Sequence, residues 1–289
     1  MTTLAIIGGS RAYDLLARDF FGERRPVERV ETPFGSVGNI HLFSSAGISF
    51  YFLSRHGDVG YTCAAPFVNY RANIWALKSL GVERIVAWSG PGVINPAMEV
   101  GGYAVPHDLI DFTKQRPSTF FTRRGLGFIR MAEPFCPTLR HALLYAVGER
   151  RIPVYDEAVY LCTEGPRLET PAEIRLFYSY GADLVGMTLI PEAFLARELE
   201  ICYGAVCYLT NYAEGVAERA FAAGTLFEGM QTDAERIAVE EALERLPIVA
   251  VEALKAAADH PRDCACKEAM RRYKKRGDIT DDWKSWIEP

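Results

Sequence analysis

Apolar strand-like runs and amphipathic helix-like stretches take turns along most of this chain, and that alternation restricts the fold more than any other feature. LAIIGGS (Leu4–Ser10) reads as a short buried strand that breaks at two glycines. IHLFSSAGISFYFLSRHG reads as two strands around a Ser-Ala-Gly turn, ending at Arg55-His56-Gly57. FVNYRANIWALKSLG has helical periodicity and a glycine stop at Gly81. RIVAWSGPG is a strand followed by a glycine-rich loop. TPAEIRLFYSYG opens with Thr170 as N-cap, Pro171 in the first helical position and Glu173 completing a capping box, and it closes at Gly181. The strand DLVGMT, a helix opening at Pro191 and the apolar run ending at Asn211 follow. A long helix from about Thr232 to Ala258 contains Pro247, which should kink it. Such an order argues for a central, largely parallel or mixed sheet with helices on both faces. No repeat or linker interrupts it, so residues 1–260 are expected to form one domain and residues 261–289 a charged tail.

Composition removes several classes of function. The 289 residues carry a net charge of −5, which gives no general attraction to nucleic acid or anionic membrane. The basic run RRYKKR (Arg271–Arg276) is followed at once by DITDD and reads as a solvated face. The amino terminus lacks the basic region and length of a signal peptide, and no apolar stretch approaches the roughly 20 residues of a spanning helix. Seven cysteines scattered through apolar segments fit a reduced, cytoplasmic protein. Cys264 and Cys266 form a CxC with no second pair beside them in the sequence, so no metal site is expected, while a redox or tail-stapling role stays open.

In open α/β sheets, ligands bind outside the carboxyl ends of the strands. Here those ends are Gly8-Gly9-Ser10, Arg55-His56, Ser89-Gly90, Met187-Thr188 and Thr210-Asn211. Together they offer a guanidinium fork, an imidazole, hydroxyls that rotate to fit and glycine turns whose N–H groups can approach a ligand, a set suited to inorganic phosphate. Each piece alone has an ordinary structural reading, as a cap or a surface pair. GGS lacks the spacing of a dinucleotide fingerprint.

With these residues in hand, the chain resembles the methylthioadenosine phosphorylase branch of the trimeric purine nucleoside phosphorylases. The resemblance runs from IIGGS at Ile6 to about Ala213 and includes ETPFG, RHG, VNYRANIWALK, MAEPFCP, EGPR and GMT followed by PE. It implies a three-layer α/β/α sandwich around a mixed sheet, and a homo-oligomer that is a trimer or a dimer of trimers. It also implies a phosphate site of Ser10, Arg55, His56, Ser89, Gly90 and Thr188. Met187 would pack on the ribose, Leu168, Tyr212 and Ala213 would lie at the base site, and Phe128 would reach the neighbouring subunit's sugar pocket. No cofactor or metal is implied; phosphate is a co-substrate.

The departures from that pattern are informative. Ser10 stands where threonine is usual, and AWSGPG replaces a Thr-Ala-Cys-Gly type of loop. The adenosine-type members carry Asp-x-Asp at the base site, whereas this chain has Asn211-Tyr212-Ala213. A carboxylate only accepts hydrogen bonds, but an amide donates from its NH₂ to a 6-oxo group and accepts from N7–H. Glu169 falls where 6-oxopurine enzymes accept from N1–H; a helix-start charge beside Thr170 is its other reading. The expected reaction is phosphorolysis of 6-oxopurine nucleosides (inosine, guanosine or 5′-methylthioinosine), with Asn211 and Glu169 acting on the base. A methylthioadenosine phosphorylase is the nearest alternative; a nucleosidase or a purine-binding protein are others. The 5′ substituent should meet the segment Gly215–Gly229, where the resemblance thins.

Overall fold

The computed structural model describes residues 3–148, 152–219, 223–227 and 230–288. Among these residues thirteen strands and seven α-helices alternate much as the sequence pattern requires. The larger sheet has eight strands, and its centre is four parallel neighbours: β4 (Ile48–Ser54), β1 (Leu4–Gly8), β5 (Arg84–Ser89) and β12 (Cys202–Tyr208). β2 (Arg24–Pro26) and β3 (Ile40–Ser45) extend it antiparallel beyond β4. On the other side β7 (Tyr103–Ala104) pairs antiparallel with β12 and parallel with β9 (Val154–Tyr155). The Ser-Ala-Gly turn joins β3 to β4 as expected, with Ala46 and Gly47 both at positive φ.

A second, five-stranded mixed sheet contains β13 (Asn211–Tyr212), β6 (Gly92–Val93), β11 (Leu184–Gly186), β10 (Val159–Thr163) and β8 (Asp108–Phe112). Among the passages from the large sheet to the small one, two matter for the site: from β5 into β6 and from β12 into β13. The two crossings lie side by side, since β5 pairs with β12 and β6 with β13. Ser89-Gly90 and Thr210-Asn211 occupy the crossings. Gly90 has to be glycine: a Cβ there would lie 2.8 Å from the Tyr208 ring and 2.9 Å from Thr210 Cγ2.

Helices cover the large sheet in the expected three-layer α/β/α arrangement. α3 (Pro137–Gly148) packs on α6 (Asp233–Ala258), and both contact β12. α2 (Tyr70–Ser79) packs on α5 (Glu192–Glu198), which also contacts β12. Local chemistry sets the helix ends. Asn69 caps α2 by accepting from Ala72 N–H at 3.1 Å, and Thr170 and Glu173 form the reciprocal capping box of α4 (Pro171–Ser179). α6 runs as a single 26-residue element through Pro247. The short α1 is Ala12–Ala17.

The last 29 residues are not only a charged extension. α7 (Arg271–Arg276) turns Arg271, Arg272, Lys275 and Arg276 outward, pairs Lys274 with Glu200 at 2.6 Å and buries Tyr273, while Met270, Ile279, Trp286 and Ile287 join the main core. The Cys264-x-Cys266 pair, expected to stand alone, meets Cys136 and Cys202 in space, and the four Sγ atoms lie within 4.8 Å of one another. Spacing along the chain cannot show this, because Cys136 precedes α3 and Cys202 begins β12. No helix among the described residues is long and apolar enough to cross a membrane.

Candidate active site

Because β4, β1, β5 and β12 are parallel neighbours, their carboxyl ends emerge along one edge. That edge opens on a cavity of about 640 Å³. Of the expected phosphate set, Ser10, His56, Ser89, Gly90 and Thr188 line it. So do Met187, Leu168, Glu169, Asn211 and Ala213 from the expected nucleoside contacts. Three expected residues do not. Tyr212 turns away and donates to the Met98 carbonyl at 3.1 Å. Phe128 is 80% exposed elsewhere on the surface, its N–H bonded to Tyr273 Oη at 2.9 Å. Arg55 lies behind the cavity wall.

Arg55 is fully buried and bidentate to Glu192, at 2.9 Å from Nε and 2.7 Å from Nη2. Tyr203 Oη donates to the same carboxylate at 2.7 Å. Burial opposes the guanidinium charge, but Glu192 outweighs it and its pKa is raised. Two of the three donor nitrogens are thus committed to protein. Nη1, 3.3 Å from the Trp88 carbonyl, faces Gly9 closely enough that a Cβ there would sit 3.0 Å away.

His56 follows Arg55 at the end of β4. Its Nδ1 is 2.8 Å from the Cys63 carbonyl, which can only accept, so Nδ1 carries the proton. Burial and then the Arg55 charge lower the imidazole pKa to about 4, leaving the ring neutral near pH 7. Nε2 therefore holds a lone pair, and it is buried without a partner among the described residues. A ligand atom that meets it must donate a hydrogen. Tyr61 stacks on the ring, with centroids 4.5 Å apart.

The hydroxyls form a connected group. Ser89 Oγ lies 3.1 Å from Tyr160 Oη and 3.3 Å from Thr188 Oγ1. Ser89 and Thr188, which line the cavity, can rotate to donate into it, which suits an acceptor-rich anion. Gly186 makes room for Tyr160: a Cβ there would lie 2.0 Å from Oη.

Facing them is a polar pair. Glu169 Oε1 accepts from Thr163 Oγ1 at 2.6 Å, and burial raises its pKa despite that bond. Asn211 is 4% exposed, and its amide orientation follows from its neighbours. Nδ2 lies 2.9 Å from the Tyr212 carbonyl, so it must be the nitrogen; Oδ1 lies 2.7 Å from Thr210 Oγ1. One carbonyl lone pair remains for a ligand, and the second amide hydrogen meets only the Met230 thioether, a weak acceptor, at 3.9 Å. A carboxylate here would set an oxygen against the Tyr212 carbonyl.

Several contributors carry little sequence signal. Arg116, a lone arginine in a loop, donates to the carbonyls of Met187, Ile190, Thr163 and Glu164, two of them at 2.9 Å and 3.2 Å. It clamps the loop carrying Met187 and Thr188 to the loop leading to Glu169. Glu192 sits in the PE block of the resemblance but reads in sequence as a helix-start charge. Within Gly215–Gly229, Leu226 and Phe227 reach the cavity, joined from beyond it by Met230; residues 220–222 and 228–229 lie outside the described residues.

Comparison with known proteins agrees with this geometry. The profile of the Phosphorylase superfamily matches residues 3–259. A 6-oxopurine nucleoside phosphorylase of Pyrococcus furiosus is 41% identical over 278 residues, covering 94% of this chain and 98% of the relative. A probable S-methyl-5′-thioinosine phosphorylase of Methanothermobacter thermautotrophicus is 38% identical, covering 93% of this chain and 89% of the relative. Among solved structures, a methylthioadenosine phosphorylase from an antarctic soil metagenomic library superposes with a TM-score of 0.79 at 32% identity, covering 93% of this chain and 90% of that one.

Proposed function

We propose that this chain, which belongs to the Phosphorylase superfamily, cleaves the N-glycosidic bond of 6-oxopurine nucleosides with inorganic phosphate. The products are the free purine and ribose 1-phosphate or its 5-methylthio analogue. The observation that carries the reading is the shared cavity: Asn211 and Glu169 stand on the same wall system as Ser10, His56, Ser89 and Thr188. The names of the relatives, a 6-oxopurine nucleoside phosphorylase and a probable methylthioinosine phosphorylase, support the same substrate class.

In this mechanism the hydroxyls of Ser10, Ser89 and Thr188 donate to phosphate oxygens, and neutral His56 accepts from the P–O–H through Nε2. Arg55 supplies charge from behind the wall and its Nη1 at most as a direct donor. A phosphate oxygen forms a bond to C1′ as the bond to N9 breaks, and that electron pair moves into the purine. As that charge builds, solvent water delivers a proton to N7, and Asn211 accepts from the resulting N7–H through Oδ1 while donating from Nδ2 to O6; Glu169 accepts from N1–H. Positioning and preorganised hydrogen bonds then provide the rate enhancement, with no covalent intermediate on the protein. Leu168, Met187 and Ala213 form the apolar bed of base and sugar.

The solved methylthioadenosine phosphorylase favours the 6-amino substrate as a second reading. Against it, Ala213 offers no acceptor, and Asn211 is pinned with its NH₂ beside a carbonyl. We extend the proposal to a homotrimer or dimer of trimers, because an aromatic as exposed as Phe128 suits insertion into a neighbour. We also place the enzyme in the cytoplasm and in purine salvage, with residues 1–260 as the catalytic domain.

The reaction is tested by incubating the protein with inosine or 5′-methylthioinosine with and without phosphate. Hypoxanthine release in strict proportion to the sugar 1-phosphate formed is expected. Release that proceeds without phosphate makes the protein a nucleosidase, and binding without release makes it a carrier.

A further inference from the structure

We propose that Cys136, Cys202, Cys264 and Cys266 form a tetrathiolate site for one zinc ion, which fastens the C-terminal segment to the catalytic body. The four sulfurs all lie within 4.8 Å of one another, and all are free thiols. A tetrahedral zinc with Zn–S bonds of about 2.3 Å needs sulfurs roughly 3.8 Å apart, so a small adjustment closes the site. Iron–sulfur clusters need their cysteines farther apart than a single ion does. Cys136, Cys202 and Cys266 are each 1% exposed and Cys264 is partly buried, so the site is closed, as structural zinc sites are.

The donors sit on rigid backbone. Cys136 N–H bonds to the Tyr203 carbonyl at 2.8 Å, and Cys202 N–H to the Glu83 carbonyl at 2.9 Å. Cys264 caps a 3₁₀ turn, Ala265–Glu268, that contains Cys266. Binding would release the four thiol protons and leave a site of net charge −2. Arg262 is placed to offset that charge. Its guanidinium lies against Cys202 and Cys264, and its buried Nε has no partner among the described residues. Its remaining nitrogens are anchored, at 3.2 Å from Glu83 and 2.6 Å from the Glu200 carbonyl.

The staple has a mechanical consequence. Beyond it, the segment packs Trp283 on Trp75 at 4.6 Å and receives Arg124 at the carbonyls of Asp278 and Ser285, at 3.0 Å and 3.1 Å. Tyr273 holds the Phe128 backbone. Fixing Cys264 and Cys266 therefore fixes the surface that presents Phe128.

Elemental analysis of the full chain, purified under reductant and then supplied with zinc and desalted, should give about one zinc per chain. Cobalt in place of zinc should give the intense visible bands of a tetrahedral thiolate site, and a mercurial should release the metal stoichiometrically. The double variant Cys264→Ser/Cys266→Ser should lose the metal and melt at a lower temperature. Should that variant fail to fold, the wild-type stoichiometry and cobalt spectrum decide alone. Zinc at background level in reduced, zinc-supplied protein overturns the proposal. So does an unreduced mass lighter by the hydrogens of two disulfides that reductant at native conditions cannot restore.

Discussion

The two ends of β12 make different kinds of site from the same strand. At its carboxyl end Thr210 and Asn211 enter a cavity, where buried His56 Nε2 has no partner among the described residues and Ser89 and Thr188 present hydroxyls to a ligand. At its amino end Cys202 enters a closed cluster whose groups face one another. The contrast teaches that openness separates a site that turns over from one that only holds the chain together. Between them, Tyr203 reaches Glu192 and, through it, Arg55. Variants at the carboxyl end should therefore change ligand handling, and variants at the amino end should change stability, with Glu192 touching both.

The largest effect should come from Glu192→Gln. It leaves Arg55 as an unpaired buried cation, at a cost of about 3–5 kcal/mol in denaturant unfolding. A change within 1 kcal/mol would mean that phosphate-side order does not depend on this pair.

Next in size is the acid response of His56. Its folded pKa of about 4 lies below the ordinary 6.5, so the unfolded chain binds the proton first as pH falls. Stability from this group is complete above pH 6.5 and is lost as pH drops toward 4, by roughly 3 kcal/mol at most. His56→Gln should flatten that part of a pH–stability curve; an unchanged slope would place the acid sensitivity elsewhere.

Ser89→Ala with Thr188→Val should raise the KM for phosphate about 10–100-fold, the size expected for lost hydrogen bonds to a charged ligand. The KM for nucleoside should move much less. Equal changes in both would show that the hydroxyls hold the site's shape rather than the anion. Cys264→Ser/Cys266→Ser is the matching control at the other end of β12, expected to lower the melting temperature and leave the phosphate KM within about twofold. The smallest effect should be that of Phe128→Ala, a rise of a few-fold in nucleoside KM with kcat nearly unchanged.

The carboxyl end of β12 was legible in the sequence because its signals are local. Strand ends are marked by Gly8-Gly9, Ser89-Gly90 and Thr210-Asn211, and a helix start by Thr170. The amino end was not, because its four cysteines come from three distant segments that only the tertiary fold brings together. The small sheet escaped for another reason: strands of two or three residues, such as Gly92–Val93 and Asn211–Tyr212, are too short for alternation to register. Arg116 and Glu192 look like surface charges until burial is known. Arg55 was identified as a charge for the anion, but only the fold reveals that most of its donors are already used.

The claim at the centre of this account is that Asn211 and Glu169 select oxygen at the purine 6-position. It is tested by comparing kcat/KM for 5′-methylthioinosine and 5′-methylthioadenosine at one saturating phosphate concentration. Pairing at two buried polar groups predicts that the 6-oxo nucleoside is cleaved at least about tenfold more efficiently. Faster cleavage of methylthioadenosine would contradict it.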